Sequence, residues 1–253
     1  MGDLAIFGFG EGGWGLALLE GAAMTLLVSA CGLLVGAAMT LLVSACGLLI
    51  GAAIGGLVAW ARLSGRVLAS GVGQAYAALF RGLPELLIVY FVYFGTSTLL
   101  TQTALLFGHE GFVGVPAFAA GALAVGVISG AYQAEVFRAG YLAISRGELE
   151  AAVSVGMNRA LMARRIILPQ VMRFALPGLG NLWQVALKDS SLISVTGLTE
   201  LMRVSQVGAG STHRPFAFYL GGAALYLVMT VLTTRLFDVA EARATRGMRH
   251  ATG

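Results

Sequence analysis

Long apolar runs separated by short arginine-rich connections organise this chain. The first lies within 14–60, and its charge-free part, 21–61, is 41 residues long. Four more runs, at 86–107, 117–136, 176–195 and 216–237, each hold about 20 to 22 residues. Crossing a hydrocarbon layer of ~30 Å takes ~20 apolar residues as a helix, so each of the four is long enough to cross once. Lipid offers no partners to unpaired backbone groups, so the pattern predicts an all-α membrane protein. Composition agrees: the chain is 58% hydrophobic and 11% charged, with mean hydropathy +0.85. Those values exclude an ordinary soluble domain of this length.

The connections alternate in charge. Arg62, Arg66 and Arg81 follow the first run, Arg138, Arg146, Arg159, Arg164, Arg165 and Arg173 follow the third, and Arg235, Arg243, Arg246 and Arg249 follow the fifth. The other connections hold only Arg203 and Arg214, so 13 arginines stand against 2. The bias predicts an outside N-terminus and a cytoplasmic C-terminus. The net charge of +4 comes from these topology-setting residues and gives no reason to expect nucleic acid. The start has no basic n-region, since Asp3, Glu11 and Glu20 are acidic, so the first span is expected to act as its own insertion signal. Cys31 and Cys46 lie in apolar helix, and His109, His213 and His250 lack ligand spacing; neither a disulfide nor a metal site is expected.

The first run contains a tandem repeat. Residues 21–35, GAAMTLLVSACGLLV, recur at 36–50 as GAAMTLLVSACGLLI, identical at 14 of 15 positions. As one helix the charge-free run would be ~60 Å long, twice what a bilayer needs. Two readings compete. A hairpin of two spans needs a turn, but no Pro, Asn or Asp occurs between Gly21 and Ala61. A single over-long helix fits better, with 36–50 in the membrane and 21–35 projecting beyond the outer boundary, tilting strongly, or breaking at Gly32 or Gly36.

A polar stretch at 145–169 carries helix punctuation. Ser145 and Glu148 read as a capping box, and Leu149, Ala152, Val153 and Gly156 recur on one small apolar face. Gly156 suits a C-cap, Asn158 an N-cap, and Pro169 is expected to end the second short helix. The spacing predicts two short helices meeting at a glycine on the membrane surface. There is no G-x-x-x-x-G-K-[ST], so the chain has no phosphate loop of its own, and Gly8–Gly13 precedes no Lys-Ser/Thr.

Glu150-Ala151-Ala152, Gly156, Ile166 and Leu168-Pro169 match the EAA loop of ABC-importer permeases at every fixed position. Arg81-Gly82-Leu83-Pro84-Glu85-Leu86, Gly130-Ala131-Tyr132, Glu135, Arg138, Gly147, Gln170, Arg173, Leu176-Pro177, Asn181 and Lys188-Asp189-Ser190-Ser191-Leu192 resemble the polar amino-acid branch of that family. The stretch from Leu176 to Leu192, with Trp183-Gln184, looks most like histidine/arginine and opine permeases. The resemblance covers roughly 15–240. It implies a five-span type I importer permease fold with an extracytoplasmic segment at 1–20, a transmembrane domain at 21–240 and a cytoplasmic tail at 241–253. It also implies a bacterial inner-membrane location and one copy of the repeated segment. Partners would be ABC ATPase subunits, a second identical or homologous permease and an extracytoplasmic substrate-binding protein, with membrane lipid around them. No cofactor is expected on this chain; ATP and Mg would sit on the ATPase. Glu150, Ala151, Ala152, Gly156, Leu168 and Pro169 would couple to that subunit.

Charge inside a span is costly and usually faces a bundle interior or a water path. Lys188 and Asp189, some 13 and 14 residues into the run at 176–195, are therefore candidates for the translocation path with Ser190, Ser191 and Glu85. A structural pairing is the competing role, and Glu85 after Pro84 also suits a helix start. Glu135 and Arg138 stand at i, i+3 and are expected to pair. Gly121, Gly126 and Gly130 should allow close helix packing. An ion-gradient carrier would instead call for inverted repeats with broken helices, and the only repeat here runs in one sense. A non-transporting scaffold would leave the loop series without a role.

Overall fold

The computed structural model describes residues 15–245; the glycine cluster at 8–13 and the tail residues 246–253 lie outside them. Among the described residues the chain is helical and contains no strand. The first apolar run forms one unbroken helix, α1 (Gly15–Leu63). Its 49 residues make a rod of ~74 Å at 1.5 Å per residue. Nothing in the repeat interrupts the hydrogen-bond ladder, which is the physical reason the hairpin reading fails. The rod stops where Ser64 caps back onto the Ala61 carbonyl (2.7 Å) and Gly65 takes φ +71°.

A helix that the apolar runs did not predict comes next, α2 (Val67–Gly82). After Leu83-Pro84 come α3 (Glu85–Tyr90), a π-turn at Phe91–Gly95 and α4 (Thr96–Leu106), which together make the second span. Then come α5 (Ala117–Leu142), α6 (Arg146–Ser154), α7 (Arg159–Met162), α8 (Leu168–Asp189), α9 (Leu201–Thr212) and α10 (Pro215–Ala244).

Four of the five expected spans are long and apolar enough to cross a bilayer on their own. The remaining one is α8. It begins at Leu168 rather than at 176 and carries Arg173, Asn181, Gln184, Lys188 and Asp189. Its apolar side is turned inward, through Val171, Ala175, Leu179, Leu182, Trp183, Ala186 and Leu187, so packing supplies what its composition lacks.

The centre of the bundle is the α1–α5 pair, which runs parallel. Gly47, Gly51 and Gly55 of α1 lie against Val125, Ser129 and Gly130 of α5, and Gly126 of α5 faces Ile50. A Cβ on Gly47 would sit 2.5 Å from Val125 Cγ1, so only glycine permits this approach. Small residues at i, i+4 spacing are how membrane helices bring their backbones together, since lipid removes the hydrophobic drive between them. Gly121, Gly126 and Gly130 all take this role, Gly121 against Ile193. Gln133, fully buried, reaches across the seam and donates to the Leu48 carbonyl at 3.0 Å.

Candidate functional site: a surface loop and an intramembrane acidic pair

The surface loop is built as two short helices around one glycine. Ser145 caps α6 by accepting the Glu148 N–H at 3.3 Å. The reciprocal half of the expected capping box is absent: the Glu148 carboxylate instead accepts from the Gln170 side chain at 2.5 Å, tying α6 to the start of α8. At the other end, Gly156 has φ +80° and donates to the Val153 carbonyl at 2.9 Å, while Met157 donates to that of Ala152 at 3.1 Å. That is a Schellman turn, which needs the left-handed conformation at Gly156. Asn158 then caps α7 by accepting the Leu161 N–H at 2.8 Å.

Two details correct the sequence reading. Pro169 does not end a helix. From α7 the chain passes through a π-turn at Ala163–Ile167 straight into α8, with Pro169 in its first turn. The wider π-turn bonds the Leu168 N–H to the Ala163 carbonyl, five residues back, and leaves room for a proline that has no N–H to give. The small apolar face is also split. Ala152 is buried and Leu149 half-buried, but Val153 and Gly156 are exposed. Val153 (61% exposed) joins Val155 (73%), Glu150, Ala151 and Leu168 on the outer surface. Inward-facing Ala152 anchors the loop, and the outward residues form a raised, partly apolar patch free of its own bundle.

The intramembrane candidates converge only in part. Asp189 is the last residue of α8, not a mid-span residue, and Ser190–Thr196 continues as a 3-10 turn. The start of α3, which carries Glu85, packs against this turn next to Asp189. Asp189 is half-buried and Lys188 exposed. The Ser190 and Ser191 hydroxyls are turned back on the helix, donating to the Leu187 and Lys188 carbonyls at 2.7 Å each. Glu85 sits in the first turn of α3 behind Pro84, as a helix-start carboxylate should.

Two arrangements were missed in the sequence. Glu135 pairs with Arg138 at 3.5 Å as expected, but Arg62 at 2.7 Å and Arg81 at 3.0 Å share the same carboxylate. One acid thus gathers the ends of α1, α2 and α5, and Arg81 also stacks over the Tyr132 ring, 5.5 Å from its centre. The second is Glu200, fully buried at the N-cap of α9. Its carboxylate accepts the Met202 and Arg203 N–H groups at 2.8 and 2.7 Å and the Tyr226 hydroxyl at 3.1 Å. Burial pushes this carboxyl up from its usual range, and those hydrogen bonds only partly oppose the shift. Beside it, Thr40 of α1 accepts the Leu201 N–H at 3.2 Å. An acid directly before a helical stretch and after Gly197 was the available signal for Glu200.

A multi-span helical bundle with a charged crossing helix and a structured surface loop defines a polytopic α-helical membrane protein. Known proteins identify which kind. The chain belongs to the family described as "binding-protein-dependent transport system inner membrane component", whose model matches residues 47–246. It is 47% identical over 244 residues to the octopine transport system permease protein OccQ of Rhizobium radiobacter, covering 96% of this chain and 97% of that one. It is 44% identical over 248 residues to the nopaline transport system permease protein NocQ of Agrobacterium fabrum (strain C58 / ATCC 33970), covering 98% and 99%. Its fold matches a solved amino acid ABC transporter crystallised with histidines at TM-score 0.71 and 33% identity, over 87% of this chain and 97% of that one. The protein is therefore a multi-pass inner-membrane permease subunit of an ABC importer.

Proposed function

We propose that this permease carries a basic amino acid or an opine, takes its energy from a separate ATPase that docks on the 145–169 loop, and receives substrate from an extracytoplasmic binding protein. The observation that carries the docking assignment is the Schellman turn at Gly156, which presents Glu150, Ala151, Val153 and Val155 away from the bundle. Glu150, Ala151 and Ala152 allow close approach, and Leu168-Pro169 leads back into α8. ATP and Mg belong to the ATPase partner, since no phosphate loop occurs in this sequence. The permease works with a second permease subunit, because five spans are few to enclose a gated path. The N-terminus is outside and the 145–169 loop cytoplasmic, as the arginine distribution favours.

Within the membrane, the Asp189–Glu85 pair is the proposed contact for a cationic substrate. Two like charges held together cost free energy, and a cation entering between them relieves that cost. Lys188, Ser190 and Ser191 border the same turn.

The test is uptake by the complex reconstituted with its ATPase, second permease and binding protein, against a panel of amino acids and opines. Gly156→Val places a β-branched residue at φ +80°, which costs enough to disrupt the turn. Uptake and ATPase assembly should fall while membrane insertion persists; unchanged uptake would remove the docking assignment. Asp189→Asn should lower uptake of cationic substrates, and intact uptake of every substrate would make Asp189 structural.

A further inference from the structure

A groove of about 590 Å³ opens on the flank of the bundle between the last turns of α1 and the first turns of α2. Leu57 and Ala61 line one wall, Leu68 and Val72 the other, with the Tyr76 ring at its base. Tyr76 spends its hydroxyl elsewhere, donating to the Val127 carbonyl at 2.6 Å, and so offers the groove only its ring. Leu57 is 68% and Leu68 82% exposed, an apolar surface that protein does not cover within this chain.

One end of the groove is cationic. Arg66 lies at the joint between the two helices, lines the groove and is exposed. Among the described residues no carboxylate pairs with it, whereas its neighbour Arg62 is held by Glu135. The cation stands at the same end of the bundle as the Glu135 cluster, where α5 leads into the 145–169 loop. An apolar slot with a free guanidinium at its mouth matches one molecule in the surroundings of a membrane protein. Hydrocarbon fills the slot, and a phosphate meets the guanidinium in a charge-assisted hydrogen bond.

We infer that this groove binds an anionic phospholipid, with an acyl chain along Leu57, Ala61, Leu68 and Val72 and the headgroup phosphate on Arg66. The site rests on the chain's spanning a membrane, not on which substrate it carries or where its ATPase docks. The lipid would brace α2, whose other end is fixed by the Arg81–Glu135 pair.

The probes are phosphatidylglycerol and phosphatidylcholine with the same acyl chains, scored by native mass spectrometry on the intact complex in mild detergent. The wild-type complex should retain phosphatidylglycerol about fivefold better, the factor one basic side chain near a membrane surface is worth. Arg66→Gln should bring the anionic lipid down to the zwitterionic level. Ala69→Phe, which fills the groove from α2, should displace both lipids, and Leu68→Trp is the substitute if that variant does not insert. Equal retention of the two lipids by wild type, or no change in Arg66→Gln, would reduce the groove to ordinary lipid-facing surface and overturn the site. High-yield disulfide formation between Leu68→Cys and a cysteine scan of the second permease would also overturn it, by giving the groove to a neighbouring subunit.

Discussion

The two copies of the repeat share a helix and 14 of 15 side chains, yet differ in almost every contact. Val43 is fully buried and Val28 is 61% exposed. Thr40 accepts the Leu201 N–H of α9, whereas Thr25 donates to the Gly21 carbonyl of its own helix. Ser44 donates to the Ala186 carbonyl across the bundle at 3.3 Å. Gly36 lies against the Leu201 backbone, while Gly21 has open space around it. The difference lies entirely in what stands opposite. Ala122 and Val125 of α5 meet Gly47, so α5, parallel to α1 and beginning at Ala117, offers nothing to the first copy. Only the end of that copy is met, where Val204 of α9 approaches Gly32 and Gly221 of α10 approaches Leu33.

Residues after the repeat decide which copy is buried. Sliding α1 by one copy would shift it ~22 Å and turn it ~60°, and would bring Thr40 to the position of Gly55. A Cβ there would meet the Gly130 carbonyl oxygen and the Gln133 Cβ, each at 2.9 Å. The same slide would withdraw Arg62 from Glu135. Gly55 and Arg62 therefore hold the register, and the first copy is left over. The family match, which begins at residue 47, includes this anchoring stretch and none of the first copy.

The largest expected break in the comparison is Gly47→Leu against Gly32→Leu. The first drives a side chain into Val125 and should cost about 3 kcal/mol or more in thermal unfolding, or abolish assembly. The second meets only Val204 Cγ1 at 3.6 Å and should change little. Equal effects would mean that the first copy is packed against something in the working complex. A smaller contrast is Thr40→Val against Thr25→Val. Removing the Thr40 hydroxyl leaves a buried N–H without its acceptor beside Glu200, a loss of about 1–3 kcal/mol. Thr25→Val should be nearly silent in the same unfolding measurement.

Much of this was open to reading in the sequence and some was not, for definable reasons. Helix positions came from apolar run length, and the loop from Ser145, Gly156 and Asn158, whose capping roles depend on local backbone chemistry alone. The charged crossing α8 was misplaced by eight residues because Arg173 and Pro169 look like boundaries until the bundle shields them. Helix α2 was missed because Gly71, Gly73 and Gly82 weaken a local helical signal that tertiary packing on α1 and α5 restores. Arg62, Arg81 and Glu135 are distant along the chain and adjacent only once α1 and α5 pair. Only residues downstream of both copies, Arg62 among them, distinguish 21–35 from 36–50 in the sequence, and the bundle buries side chains of 36–50 such as Thr40, Val43 and Ser44.

The sharpest test removes one copy at a time. Deleting 21–35 leaves GAAMTLLVSACGLLI ahead of Gly51, and deleting 36–50 leaves GAAMTLLVSACGLLV there. The two products differ by one methylene, Ile or Val at the position of Ile50, although one deletion removes exposed helix and the other removes packed helix. If position and not sequence sets burial, the remaining copy takes the packed site in both, held by Gly55 and Arg62. Both should insert, assemble and transport. The Val product keeps the Cβ and Cγ2 that face Gly126, loses only the δ-carbon of the half-buried Ile50, and should be less stable by about 0.5 kcal/mol. Loss of transport in both, with normal expression, would show that the projecting segment has become part of the working subunit. Loss in the 36–50 deletion alone would show that the Ile50 side chain itself, and not only the register anchors, is needed for a working subunit.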